Sequence, residues 1–171
     1  RASLQGVPRW LEEQIGRLKV DLRLGTTASA EMVMAEKPDH VVVATGGMPN
    51  KGSFTGAELA VSTWELLSGR VESGGNVLIY DGNGDHQAPS TAEFLAERGA
   101  RVEYVFPDRY AAPEIGGTNM PIHLRNLYKK GTIFTADHYL RRVYREGNRL
   151  VAVLLNDYTQ EEEEREVDQV V

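Results

Sequence analysis

The sequence predicts an α/β fold in which a parallel sheet carries antiparallel additions. Residues 76–106, NVLIYDGNGDHQAPSTAEFLAERGARVEYVF, have the pattern of a strand, a glycine-containing loop, a helix and a second strand. Residues 40–47, HVVVATGG, predict a buried strand that ends in small residues. Residues 132–171 alternate between apolar and polar side chains around the turn EGN at 146–148, which predicts antiparallel strands leading back into the core.

The segments before residue 40 alternate between helix and strand patterns. Residues 8–18 carry apolar side chains at helical spacing and predict a helix. Residues 20–25 alternate as a short strand, and residues 29–37 predict a second helix with Ser29 as its N-cap. This order of elements is typical of an α/β sheet with helices on its faces.

Three further segments complete the pattern. Residues 46–60 form a loop rich in glycine, proline, asparagine and serine, after which Ser62 begins a short helix. Residues 120–130 predict a helix that ends at Gly131. The acidic run EEEERE at 161–166 is interpreted as a solvated turn or edge strand.

The composition excludes several classes of function. The net charge is −6 and no stripe of Lys and Arg is present, so we expect no nucleic-acid partner. No apolar run approaches the ~20 residues that a membrane-spanning helix requires, so we expect no membrane partner. The chain has no cysteine, which removes disulfides and thiolate metal ligands and fits a cytoplasmic protein.

The motif ATGG follows the predicted strand at 40–43. Small residues at the carboxyl end of a strand let the backbone approach a ligand closely, and open α/β sheets bind ligands at that edge. A strand followed by a tight turn is the plain alternative. The candidate nucleotide-binding residues here are Ala44, Thr45, Gly46 and Gly47.

The loop DGNGDHQAP resembles a dinucleotide-binding glycine loop without matching G-x-G-x-x-G. Gly82 and Gly84 stand where a tight turn and a close approach to pyrophosphate need glycine, and Ala88 takes the helix-packing position. Asp81 stands near the expected first glycine. Together with Asp85 it places negative charge where a pyrophosphate would bind. These features predict a Rossmann-like domain whose cofactor binding is lost or altered.

The second strand of the unit departs from the pattern as well. An NAD site needs Asp or Glu at its end, where this chain has Phe106 and only later Asp108. Arg109 is a weak candidate for a 2′-phosphate of NADP. His86 lies in the glycine loop and is a candidate contact for a nucleotide phosphate or a flavin edge, with simple exposure as the alternative.

The run YDGNGDHQAPSTAEFLAERGARVEYV resembles the second nucleotide-type domain of the trimethylamine dehydrogenase family of flavoproteins. In that family an aspartate-bearing loop and an A-P-S-x-A-E-x-L-A helix also replace the glycine fingerprint. The wider group includes dienoyl-CoA reductase, which keeps the fingerprint and uses NADPH. The resemblance covers nearly the whole chain and is most specific at 40–50 and 76–106.

The resemblance implies a C-terminal fragment of a flavin-dependent oxidoreductase that acts on a small amine. Residues 1–50 would end an FAD- or ADP-type domain, residues 51–75 would be a linker and crossover, and residues 76–171 would form most of an NAD(P)-type domain. An N-terminal barrel would carry FMN, an iron–sulfur cluster and the substrate chemistry. We therefore expect no catalytic residue and no turnover in this fragment.

Further expectations follow from the same resemblance. The cofactor at the nucleotide domains would be FAD or ADP, with NAD(P)H as the less favoured choice. The partners would be the protein's own barrel, an electron-transfer flavoprotein and further copies in a homo-oligomer. Two alternatives stay open, which are a domain that passes hydride from NAD(P)H to FAD and a Rossmann-like scaffold without catalysis.

Overall fold

The computed structural model describes residues 6–171, which divide into two compact units between Gly46 and Gly47. In the first unit, helix α1 spans Gly6–Arg17 and helix α2 spans Ala30–Ala35. Ser29 caps α2, because its side chain accepts a hydrogen bond from the amide of Met32. Both helices and this N-cap were predicted from the sequence and are confirmed.

The two strands predicted for this unit, at 20–25 and 40–43, are wrong. Both segments are irregular, and Val42 and Val43 are 86% and 79% exposed. The described residues 6–46 contain no strand that could pair with either segment and no fully buried side chain. Without a ladder partner and a covering layer, a run of valines gains nothing from an extended, paired conformation.

The second unit, residues 47–171, contains the predicted parallel sheet. Its strand order is β3-β2-β1-β7, and the pairs β1–β2, β2–β3 and β1–β7 are all parallel. A short 3-10 turn at Ala57–Leu59 precedes these elements. The elements in chain order are α3 Thr63–Leu67, β1 Asn76–Tyr80, α4 Gln87–Glu97, β2 Arg101–Val105, α5 Met120–Lys129, β3 Ile133–Thr135, β4 His138–Glu146, β5 Arg149–Asn156, β6 Glu162–Val167 and β7 Gln169–Val170.

The sequence of strand β1 is a continuous apolar run because both faces of the strand are buried. Val77 and Ile79 pack with α4 residues in one core, and Leu78 points into a second core on the other face. Helix α3 begins with a full capping box, in which Ser62 accepts from the amide of Glu65 and Glu65 accepts from the amide of Ser62.

Strands β4, β5 and β6 form a separate antiparallel sheet that covers the second core. Strand β4 has a register shift between Leu140 and Arg142, and β5 carries the buried run 150–154. Strand β6 is an edge strand with four exposed glutamates, which confirms the interpretation of the acidic run. The predicted fold class is therefore confirmed.

Residues 47–75 belong to the second unit. The amide of Val61 donates to the carbonyl of Val170, and Leu66 is part of the core beneath α4. The finer division of the chain at residues 50 and 75 stays a prediction. No helix among residues 6–171 is long and apolar enough to span a bilayer.

Candidate functional site at the carboxyl end of the parallel sheet

The loop between β1 and α4 is organised by the carboxylate of Asp81. The amide of Asp81 continues the sheet by donating to the carbonyl of Val105, at 2.9 Å. Its side chain then turns back into the loop, where one oxygen, Oδ1, accepts from the amides of Asn83 at 3.1 Å and Gly84 at 2.7 Å. The carboxylate thus closes the loop on itself, as an Asx turn does.

The second oxygen of this carboxylate is held by β2. The phenol of Tyr104 donates to Asp81 Oδ2 at 2.6 Å, and both residues are buried, Tyr104 completely. Burial, reinforced by the charge of Asp81, raises the pKa of Tyr104 far above its ordinary value, so the phenol keeps its proton and remains a donor. The sequence pattern gave no indication of this contact between Tyr104 and Asp81.

Gly84 is required by packing against the segment 112–115. Its φ is +73°, and a Cβ at this position would lie 2.9 Å from Cδ of Pro113. The amide of Glu114 donates to the carbonyl of Gly84 at 2.9 Å. The glycine that resembled a pyrophosphate-binding glycine is therefore covered by another part of the same chain.

Helix α4 offers few free donors at its beginning. His86 precedes the helix without a side-chain cap, and its amide donates to Asp85 Oδ1 at 2.7 Å. Ala88 is buried, and Pro89, at the third helical position, has no N–H. This end of the helix is therefore less suited to an anion than the usual Rossmann helix.

A cluster between α4 and α5 accounts for the surroundings of His86. The buried side chain of Glu93 accepts from Nδ2 of Asn126 at 3.1 Å, and Nδ1 of His123 lies 3.0 Å from the same oxygen. The ring of His86 stands edge-on to that of His123, with centroids 5.9 Å apart. These contacts join two helices, and no group of three His, Asp or Glu side chains within residues 6–171 could hold a metal ion.

A cavity of about 490 Å³ opens at the carboxyl ends of β1 and β7. The ammonium nitrogen of Lys51, Nζ, lies in the wall of this cavity. It is 2.9 Å from the carbonyl oxygen of Ala60 and 3.0 Å from the carboxylate oxygen Oε2 of Glu65. Hydrogen bonds from the backbone and hydroxyl of Ser62, with Lys51, lower the pKa of Glu65 to about 2. The cavity is lined by residues 47–52, Phe54, 60–64, 79–83, Gln87, Ala88, Leu140, Val170 and Val171.

The nine predicted cofactor-binding residues separate into three groups. Ala44, Thr45 and Gly46 are exposed in the first unit. Gly84 and His86 lie outside the cavity wall. The four that the structure brings together around the cavity are Gly47, Asp81, Gly82 and Ala88.

Direct contact of any of these residues with a cofactor stays a prediction. A Cβ at Gly46 or Gly47 would meet no atom within 4 Å, because both residues are exposed. The loop after β1 is different, because a pyrophosphate there needs free amides and two of them, at Asn83 and Gly84, already donate to Asp81. As it stands, this loop does not fit a pyrophosphate.

Arg109, the candidate for an NADP phosphate, lies in the wall of a different cavity. This cavity of about 470 Å³ is found between α5 and the ends of β2 and β3. Phe106, Tyr128 and Phe134 contribute aromatic side chains to it. Arg109 therefore does not reach the cavity that Asp81 and Gly82 line.

No family model matches the chain. Over its whole length it is 48% identical to N,N-dimethylglycine/sarcosine dehydrogenase from Chromohalobacter salexigens and 42% identical to a probable N-methylproline demethylase from Rhizobium meliloti. It covers 26% and 25% of these proteins, so the chain spans about a quarter of the length of the curated relatives it matches.

Among solved structures, the chain is similar to 2-naphthoyl-CoA reductase in complex with 2-naphthoyl-CoA. The sequence identity is 26% and the TM-score is 0.80. The match covers 95% of this chain and 24% of the reductase chain.

Proposed function

Because this chain belongs to the flavin-dependent oxidoreductases related to trimethylamine dehydrogenase and dienoyl-CoA reductase, we propose that the protein carrying it oxidatively demethylates an N-methylated amino acid. The main support for this proposal is the 48% identity, over the whole chain, to N,N-dimethylglycine/sarcosine dehydrogenase. The second relative is named for N-methylproline. Dimethylglycine, sarcosine and N-methylproline share a methylated nitrogen next to a carbon that bears a carboxylate.

The proposed reaction consumes one N-methyl group per turnover. The methyl group loses two electrons and one proton, which leaves an iminium, and water then adds to the iminium carbon and releases formaldehyde, the demethylated amine and one proton. The oxidised flavin supplies the acceptor for these two electrons. FMN and an iron–sulfur cluster would be held by parts of the protein outside this chain, together with the residues that contact the amine.

This chain contributes part of the nucleotide-binding domains of such an enzyme, about a quarter of its length. An adenine nucleotide, FAD or ADP, would bind at the motif 44–47. The second unit provides a parallel sheet with a cluster of buried residues on each face. An electron-transfer flavoprotein would take the electrons, and the enzyme would be a cytoplasmic homo-oligomer.

The test is anaerobic titration of the complete flavoprotein with sarcosine, dimethylglycine and N-methylproline. We expect bleaching of the flavin absorbance and one formaldehyde for each methylated amine consumed. Glycine and proline are matched controls, since they keep the carboxylate and lack the methyl group. Absence of bleaching with every methylated amino acid would refute the proposal.

A second candidate is a reductase that receives hydride from NAD(P)H. The observation that favours it is the likeness to 2-naphthoyl-CoA reductase, at a TM-score of 0.80. Stopped-flow mixing of the complete protein with NADPH separates the two functions. Rapid flavin bleaching by NADPH would support the reductase, and bleaching by a methylated amino acid alone supports the demethylase.

A further inference from the structure

We propose that the carboxylate of Asp81 occupies the place of a dinucleotide pyrophosphate and thereby closes the second unit to NAD(P)H. A related domain that binds a dinucleotide must aim backbone N–H groups at the phosphates. In this chain the N–H groups of Asn83 and Gly84 converge instead on one oxygen of Asp81. The amides that could bind a phosphate in this loop therefore already bind an anion, the carboxylate of Asp81.

The carboxylate cannot easily move aside for a ligand. It begins from the end of β1, it is only 4% exposed, and the buried phenol of Tyr104 on β2 holds its other oxygen. Three donors therefore share one charge, which is the arrangement that stabilises a buried carboxylate. A pyrophosphate would have to displace that charge or remain beside it.

The packing of residues 113 and 114 against Gly84 also opposes the binding of a pyrophosphate. Pro113 lies close against the α-carbon side of Gly84, and the amide of Glu114 is bonded to the carbonyl of Gly84. The segment that contains these residues would have to leave before a phosphate could contact the glycine. Asp81 and this segment together oppose a phosphate at Gly84.

This inference concerns one loop and goes beyond the proposed demethylation, because it is tested by binding and not by turnover. The two probes are inorganic pyrophosphate and NADPH, titrated by calorimetry into the 171-residue chain. We expect no heat of binding for the unmodified chain at millimolar probe. Asp81→Gly removes the internal anion and frees both amides, and we expect affinity for pyrophosphate to rise by about a hundredfold or more, the size of one removed charge repulsion at contact distance.

Two control variants distinguish the effect of occupied amides on pyrophosphate binding from the effect of negative charge alone. Asp85→Ala removes the same charge from the same loop but leaves the amides of Asn83 and Gly84 bonded. Asp81→Asn keeps an oxygen that can accept from those amides. We expect both variants to bind pyrophosphate at least tenfold more weakly than Asp81→Gly. Equal gains in Asp85→Ala and Asp81→Gly would overturn the inference, as would micromolar binding of NADPH by the unmodified chain.

A second measurement covers the case in which Asp81→Gly does not fold. Amide hydrogen exchange of the unmodified chain reports directly on the two N–H groups. We expect Asn83, although exposed, and Gly84 to exchange at least tenfold slower than an unstructured chain, with no change in 10 mM pyrophosphate. Unprotected amides whose resonances shift with pyrophosphate would overturn the inference without any variant.

Discussion

Tyr104 on β2 donates a 2.6 Å hydrogen bond to Asp81 at the end of β1, and both residues are buried. The two strands pair in parallel with Tyr104 beside Ile79, so the phenol reaches past the end of its neighbour to meet the carboxylate. This contact connects the core of the sheet to the loop that resembles a nucleotide site. It makes the conformation of that loop dependent on a residue of the core.

Replacing Tyr104 by Phe is expected to destabilise the chain by about 1.5–3 kcal/mol, the usual contribution of a hydrogen bond to a buried charged group. The ring still fills its place against Phe106 and Phe134. Urea unfolding of the variant measures the loss. Tyr144→Phe is the matched control, because its hydroxyl donates to Glu164 at the surface and we expect a much smaller change. Equal losses in the two variants would contradict a special role for Tyr104.

Gly84→Ala is expected to destabilise the chain by more than the ~1–2 kcal/mol that a left-handed residue costs. The added methyl group would also lie 2.9 Å from Pro113. Gly131→Ala is the control, since Gly131 has a φ of +72° and no atom within 4 Å of its Cβ position. The difference between the two variants measures the contact with Pro113. Identical losses would show that packing does not require glycine at 84.

Glu65 is expected to make the stability of the chain depend on acid pH. The backbone N–H of Ser62, then its hydroxyl and Lys51, lower the pKa of Glu65 from 4.5 to about 2 in the folded chain. Because the folded pKa lies below the unfolded value, the stabilisation is complete above pH 4.5 and is lost as the pH falls towards 2.

The measurement is chemical unfolding of the chain and of Glu65→Gln from pH 6 to pH 2. We expect the variant to be less stable at pH 6, with a difference that shrinks through the window from 4.5 to 2. Ser62→Ala removes one of the donors and should give an intermediate result. A difference that does not change with pH would contradict the assignment.

Arg165 and Glu103 form an ion pair between the two sheets. Nε of Arg165 lies 3.1 Å from Oε1 of Glu103, which is also bonded to the hydroxyl of Thr135. Because the glutamate side chain is only 13% exposed, we expect a coupling energy of about 1 kcal/mol or more in a double-mutant cycle with Arg165→Met and Glu103→Gln.

The control for this cycle is the pair of Arg142 and Glu162, with both side chains more than 40% exposed. Solvent screens such a pair, so its coupling energy should stay below about 0.5 kcal/mol. High salt should reduce the coupling energy of the exposed pair, Arg142 and Glu162, further. It should leave the coupling energy of Arg165 and Glu103 nearly unchanged. The reverse order of the two coupling energies would show that the contact between the sheets is not the stronger one.

Much of the second unit could be predicted because local patterns and burial agree there. The run 76–80 is apolar on both faces, and a parallel strand between two layers has that property. The meander was predictable because alternation and the turn at 146–148 point to the same register. The exposed position of the acidic strand β6 was predictable because charged side chains are rarely buried.

The first unit shows where the same reasoning fails. Val41, Val42 and Val43 have a high preference for strands, but that preference expresses packing against neighbours, and residues 6–46 supply neither a paired strand nor a buried layer. The site was predicted only in part. Asp81 and Gly82 were identified from the loop, whereas Tyr104, Pro113 and Lys51 depend on contacts across 23 or more positions or on the path of an irregular segment. An aspartate in the place of the first glycine was the available signal.

Val42→Asp is expected to leave the stability of the chain within about 0.5 kcal/mol of the original, since a fully exposed side chain loses no packing when it becomes charged. Val77→Asp is the matched control. Val77 is completely buried in β1, where an unpaired carboxylate has no hydrogen-bond donor of its own, so we expect this variant to be unfolded at room temperature. Urea unfolding followed by far-ultraviolet circular dichroism compares the two. A loss of more than about 2 kcal/mol in Val42→Asp would mean that Val42 is buried after all, and it would restore the strand that the valine run predicts.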